Sequence, residues 1–436
     1  MNSTNRKARL TLWTTVLALA VVPVACDTLS NPLDVEPASR IPAVDIETAG
    51  NALILSDGAI ADFECAFNSY TVLSGVVGEE LIYAQQTASR VPYDRRTTSR
   101  DDNDYAVNSC TNNLGVYTPL QVARQSNENL LARLKSWTDA EVTAGPGSPN
   151  RTNLIAIAAA YAGYAYVLLG EGFCTMAISS VNPDKSLTYG GEIPRDSVFK
   201  LAIGRFTEAI EAATTAGNTS IRNMAYLGRA RAKLDRGDYA GAKADAQQVP
   251  AGYVKLVSAS NANARRQNRV AAENNSANRN QSIGIPYRTL GDTRVPVVAT
   301  TLVSATGVVH FYQTKYPTTD LPLHLATYEE AQLIIAEADI RANSLATALP
   351  IITASRTRGG QGAFTGTSQV EYLAELVDQR RRELFLESHH LGDVIRFGIV
   401  PTPAAGSTYH FGGTYGNQLC LPLPSAERLN NPLIGS

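Results

Sequence analysis

The sequence predicts an all-α body: tetratricopeptide-like helix pairs joined by long irregular loops, with a few short strands. Three observations predict it. Leu120, Ala123, Leu130, Leu131 and Leu134 fall at helical spacing. Residues 153–169 (NLIAIAAAYAGYAYVLL) are apolar almost all round, as a helix buried on every side must be. Tyr226, Ala230, Gly237, Tyr239, Ala242 and Pro250 lie close to tetratricopeptide spacing, with small residues where two antiparallel helices approach.

Along the chain, the first element is a targeting segment. Residues 1–25 carry Arg6, Lys7 and Arg9, then an uncharged apolar run over 10–25. That run is short for a spanning helix and reads as a secretory signal peptide. It ends Val24-Ala25-Cys26, which resembles a bacterial lipobox and makes Cys26 the expected lipid attachment site and mature N-terminus. Pro32, Pro37 and Pro42 keep residues 26–45 extended, so this stretch reads as a lipid-anchored tether. No later segment reads as a membrane span. Residues 46–436 are expected to form a single domain.

Within that domain the repeat-like pairs occupy about 153–250 and 327–356. Asp196 is the expected N-cap of a helix over 196–216, and the turn Gly237-Asp238-Tyr239 separates two helices over 222–249. Two insertion loops interrupt the scaffold, about 84–109 and 255–322. The second opens with an Asn-, Ala- and Arg-rich stretch over 258–283 and continues into short alternating segments that fit strands. Long insertions on a helical scaffold are either functional or disordered. Once Cys26 is removed, Cys65, Cys110, Cys174 and Cys420 allow two disulfides in three pairings. Spacing does not choose among them. Cys65–Cys110 with Cys174–Cys420 is the favoured set, and buried free thiols are the alternative.

The 436 residues are 44% hydrophobic with a net charge of −2, enough apolar content for a core and no field to attract nucleic acid. No H-E-x-x-H, C-x-x-C or G-x-S-x-G occurs, and His389 and His390 point too far apart on a helix to share an ion. Neither metal nor cofactor is expected. Glu79-Glu80 could imitate a glycosidase pair, a question of spatial separation that sequence does not answer.

Residues 379–398 read QRRRELFLESHHLGDVIRFG. Taken alone, this is one amphipathic helix with a solvated charged face. It also resembles the C-terminal signature of the SusD/RagB family of outer-membrane nutrient-binding lipoproteins, roughly E-R-x-x-E-L-x-x-E-G-x-R-x-x-D-L-x-R. Arg380, Glu383, Leu384, Glu387, Asp393 and Arg396 match; Gln379, Ser388, His390 and Val394 depart, as in a divergent member. The helix over 333–343, Asp292-Thr293-Arg294 with Lys315-Tyr316, residues 160–178 and residues 419–434 resemble further family segments in the same order.

The resemblance implies a SusD-like scaffold on the surface of a Gram-negative outer membrane, held there by an N-terminal lipid. It implies a protein without enzymatic activity that captures an oligosaccharide or peptide and passes it to a SusC-like TonB-dependent transporter. A site for sugars needs flat rings flanked by polar forks. Tyr83, Tyr93, Tyr105, Tyr287 and Tyr316, with Arg95, Asn103 and Arg288, lie in or beside the two insertions and are the candidate ligand-binding residues. The competing readings are a lipid-anchored helical-repeat adaptor that binds no small ligand, and a lipid-anchored glycoside hydrolase.

Overall fold

The computed structural model describes residues 46–102, 104–107, 110, 115–182 and 184–435. The signal peptide, the tether, Cys26 and Asn103 lie outside the described residues. The scaffold is built from α1 (Ala52–Val77), α2 (Tyr117–Ser136), α3 (Arg151–Gly172), α4 (Arg195–Ala216), α5 (Thr219–Asp235) and α6 (Tyr239–Ala246). It continues through α7 (Tyr328–Arg341), α8 (Leu345–Arg358), α9 (Gln369–Glu383) and α10 (His390–Phe397).

The Ala-rich run becomes α3, the centre of the core, and packs against α2, α4 and α5. Every residue from 158 to 173 is buried. By length and composition α3 could cross a membrane, but 83% of its apolar window is covered by the rest of the body. Small residues let its neighbours close in. A methyl group at Gly163 of α3 or Gly228 of α5 would collide with the Phe206 ring of α4. The two glycines therefore let three helices meet on one aromatic side chain, whose full burial contributes roughly 2–3 kcal/mol.

The predicted pair over 222–249 forms as α5 and α6. Asn218 caps α5 by accepting from the Ile221 amide at 3.0 Å, and Asp238 caps α6 by accepting from Gly241 at 2.9 Å. Gly237 takes φ +77° in the turn between them, which a side chain would strain. Asp196 is not a cap. Pro194, in extended backbone, precedes α4, so Asp196 falls in the first turn and pairs with Lys200 and Arg236, both at 2.7 Å. A carboxylate there is favoured by the helix dipole.

The reading of 379–398 as one helix is corrected. Helix α9 ends at Glu383, and α10 begins at His390. Between them Leu386 and Ser388 turn left-handed, with φ +56° and +67°. The break has a packing cause. Leu384, Phe385 and Leu386 are all sunk in the core, and the Leu386 amide donates to the buried Glu80 carboxylate at 2.8 Å. A continuous helix would bind that amide internally and turn part of this apolar triplet outward.

The strands that frame the insertions are short and antiparallel: β1 (Leu81–Tyr83), β2 (Val254–Val257), β3 (Gln281–Ile283), β4 (Val297–Val303), β5 (Val309–Gln313) and β6 (Leu323–Thr327). Strand β1 pairs with β3, β2 with β6, and β4 with β5 in a hairpin. The Asn-rich stretch is ordered by its own side chains. Asn268 caps a short helix by accepting from Ala271 at 3.1 Å and donates to the Leu321 carbonyl at 2.8 Å. Asn274 donates to the carbonyls of Gln281 (3.0 Å) and Phe311 (3.1 Å) and accepts from the Gln313 amide at 2.8 Å. Both are fully buried, so amide bonds fix here what apolar packing fixes elsewhere. The structure carries the disulfides Cys65–Cys110 and Cys174–Cys420.

Candidate functional site

The groups of residues singled out by sequence can now be placed. The first is the charged run at 379–398, and its face is not solvated. Arg380 pairs with Asp393 at 2.8 Å, both nearly buried, and Asp393 also receives Arg396 at 2.8 Å. Arg396 reaches Glu337 of α7, and Asp235 of α5 at 3.7 Å. Glu383 holds Arg294 at 2.7 Å, and Glu387 holds Lys315 and His324, each at 2.6 Å. Thus Arg294 and Lys315, separate pieces in sequence, are the partners of the signature carboxylates.

A second buried cluster adjoins the first. Arg231 grips Glu171 with two bonds of 2.6 and 2.7 Å and lies 2.8 Å from Nε2 of His389. Burial opposes charge on Glu387, but Lys315 and His324 outweigh it and hold the carboxyl down at about 2. Burial likewise opposes charge on Asp393, and Arg380 with Arg396 keep it well below the usual carboxylate range. Burial, reinforced by Glu171, pushes Asp235 well up. A cavity of about 340 Å³ opens beside Arg294, Lys315, His324, Glu383 and Glu387. These five charged groups already satisfy one another, so the cavity is the mouth of a structural network.

Glu79 and Glu80 are also structural. Glu80 accepts from Leu386, and burial raises its pKa. Glu79 accepts from the Thr402 amide and lies 3.4 Å from His390.

The second group is the loop tyrosines that sequence singled out as candidate ligand contacts. Tyr83, Tyr93, Tyr105, Tyr287 and Tyr316 are all buried. Tyr93 and Tyr105 meet edge to face at 6.3 Å, and the Tyr105 hydroxyl donates to the Pro422 carbonyl at 3.0 Å. Tyr287 stacks on Phe385 at 5.0 Å. The cause is that the insertions fold onto the body and use these rings as their own core. Arg95 and Arg288 stay half-buried. Arg95 donates to Thr97 at 3.1 Å, and Arg288 lies over Phe311 at 4.5 Å.

The two insertions do come together. Ala84 donates its amide to the Asn280 carbonyl at 2.9 Å, and Gln86 donates to the Ala305 carbonyl at 2.9 Å. A third segment joins them: the Gly416 and Gln418 amides donate to the Arg95 and Arg96 carbonyls at 2.7 and 3.0 Å. Tyr409 donates to Asp94 at 3.1 Å, where burial, against this bond, raises the carboxyl to about 7.

The third placement is one that sequence reasoning missed. The hairpin β4–β5 and the turn at 275–279 enclose a cleft of about 360 Å³. Thr300 on β4, His310 and Tyr312 on β5, and Asn275, Ser276 and Arg279 of the turn line it. His310 and Tyr312 alternate with Phe311, and their rings lie 6.3 Å apart and within 20° of parallel. Burial lowers the His310 pKa, and Arg279 adds to that. Nδ1 of His310, Nε of Arg279, Oδ1 of Asn275 and Oγ of Ser276 are buried with no hydrogen-bond partner among the described residues. An aromatic wall beside unused polar groups can hold a ligand that is both flat-faced and hydroxyl-rich. The available signal was the period-two alternation at 309–313.

Residues 260–419 match the SusD family model. No curated protein matches the chain. A SusD superfamily protein from Bacteroides thetaiotaomicron superposes with a TM-score of 0.68 at 14% identity, over 89% of this chain and 99% of that one. A SusD superfamily protein from Bacteroides vulgatus gives 0.67 at 13% identity, over 88% and 98%. A structure described as a SusD-like carbohydrate binding protein from Bacteroides vulgatus gives 0.65 at 14%, over 89% and 97%. At these identities the structures speak for the fold, while the family model, covering the signature and both of its basic partners, speaks for the sequence. Over residues 260–419 the chain is thus similar to the SusD family, and its fold is that of SusD superfamily proteins.

Proposed function

We propose that this protein is a lipid-anchored lipoprotein of the outer-membrane surface that captures an oligosaccharide and delivers it to a SusC-like TonB-dependent transporter. Its role is binding without catalysis. The observation that carries the reading is the cleft of about 360 Å³ on the hairpin, with Tyr312 and His310 as its flat wall and unpaired polar groups beside it. Sugars offer CH-rich faces and rings of hydroxyls, and this pairing of surfaces suits them better than an extended peptide. The carbohydrate-binding description of one structural relative supports the same choice. Cys26, at the end of the apolar leader, is the proposed lipid site.

Titration calorimetry against a glycan panel tests the binding step. Tyr312→Ala is expected to weaken the preferred glycan about ten-fold, matching the roughly 1–2 kcal/mol of a stacked ring. Full-length tagged protein from detergent-solubilised outer membrane is expected to copurify a TonB-dependent barrel, and Cys26→Ala to lose it by leaving the membrane. An adaptor would bind no glycan, and a hydrolase would release products from one; either result would displace this proposal.

A further inference from the structure

The cleft has a charge asymmetry that a neutral sugar does not need. Its lining includes Arg279 and His310 but no carboxylate. Among the described residues no acidic side chain lies within ion-pair distance of Arg279. The carboxylate nearest in sequence, Glu273, is taken: Arg269 holds it at 2.6 Å, Asn280 donates to it at 3.0 Å, and Arg90 lies 3.8 Å away. Arg231, Arg380 and Arg396, by contrast, are each knitted to carboxylates.

The arginine is also held in place. The Arg279 amide donates to the Ser276 carbonyl at 3.0 Å, and its left-handed φ of +52° turns the chain out of the 275–279 turn into β3. Its Nε is buried without an acceptor, as is Nδ1 of His310, itself only 4% exposed. The Ser276 hydroxyl lies in the same cleft with its bonding capacity unused. A buried donor left unmade costs about 1–3 kcal/mol, so a cleft with several of them is built to be completed by a ligand rich in acceptors. A guanidinium is the group best matched to an oxyanion, because its parallel N–H bonds fit two oxygens at once.

We infer that the cleft on the β4–β5 hairpin selects an acidic glycan, with Arg279 receiving the carboxylate of a uronic acid or the sulfate ester of a sulfated sugar while Tyr312 stacks on the ring. The inference rests on the proposed glycan-binding role and names the class of sugar. Arg279 supplies the charge discrimination and Tyr312 the sequence-tolerant face, so the two are separable by mutation.

The test uses full-length protein in detergent and two matched pairs of probes. Oligogalacturonate is compared with its methyl ester, and a sulfated galactan oligosaccharide with its desulfated form. At low salt the charged member of at least one pair is expected to bind ten-fold or more tightly than its neutral counterpart, with the advantage shrinking in 0.3 M NaCl. Arg279→Gln is expected to remove that advantage by weakening the charged form far more than the neutral one; Arg279→Lys should restore part of it. Tyr312→Ala should weaken charged and neutral forms alike. Which pair shows the effect distinguishes carboxylate from sulfate. Neutral glycans binding as tightly as charged ones, or a preference that survives Arg279→Gln in a variant with an unchanged melting temperature, would overturn the inference and leave the glycan-binding role standing. Failure of every glycan, or binding of acidic peptides alone, would overturn both.

Discussion

Replacing Cys174 and Cys420 together by serine is expected to lower the unfolding free energy by about 5 kcal/mol, the chain-entropy value for closing a loop of this length. The bridge spans 246 residues and ties the end of α3, at the centre of the core, to the C-terminal segment. The backbone repeats the connection: the Cys174 amide donates to the Leu421 carbonyl at 2.9 Å, and the Leu421 amide donates to the Gly172 carbonyl at 2.8 Å. The variant should therefore keep its fold while its urea midpoint falls. The Cys65–Cys110 bridge spans only 45 residues, so the same substitution there should cost about 4 kcal/mol. A midpoint unchanged by the Cys174/Cys420 substitution would show that the unfolded chain is already compact around this junction.

Arg396→Met is expected to destabilise the protein by about 3–5 kcal/mol, the usual cost of removing one partner from a buried ion cluster. It would leave Glu337, Asp393 and Asp235 facing a vacated position, with only Arg380 still on Asp393. The pH dependence distinguishes this from simple loss of packing. In the wild type Asp393 is held well below its unfolded value, so its contribution is complete above about pH 4 and is lost as pH falls through the lower folded value. Glu387, held at about 2, behaves alike: its share, on the order of 3 kcal/mol, is full above about pH 4.3 and drains as pH falls toward 2. In Arg396→Met the Asp393 contribution shrinks, so the deficit against wild type should be largest at neutral pH and narrow in acid. Denaturant unfolding at pH 7 and pH 3.5 checks this. A deficit independent of pH would assign the effect to packing.

Much of the scaffold is legible in the sequence because its determinants are local. Apolar spacing places α2, α3, α5 and α7, and Gly237-Asp238-Tyr239 marks the turn between α5 and α6. The misreadings share one physical cause: a pattern shows that a residue is charged or aromatic but not what lies across from it. Glu383 and Glu387 look like a wet helix face because their partners, Arg294 and Lys315, are some 70 to 90 residues away. Tyr105 looks like a loop platform until the Pro422 carbonyl, 317 residues on, receives its hydroxyl. The break between α9 and α10 is hidden for the same reason, since Glu80 draws the Leu386 amide across a separation of 306 residues. The two loops are legible as insertions, but not which of their tyrosines face inward. Tyr312 escaped notice as a site residue because only pairing with β4 fixes which side of the hairpin its ring takes.

The two buried asparagines of the insertion have a consequence for how such a protein can change. Asn274 alone ties the short helix before the cleft to β3 and to β5 through three bonds. Asn268 ties the same helix to the segment before β6. The shape of the cleft is thus set by residues that do not line it. Arg279, Thr300 and Tyr312 can drift through mutation while the frame stays in register. On the proposed glycan-binding reading, a lineage carrying this frame can move between nutrients by exchanging a handful of wall residues, without having to invent a new loop each time.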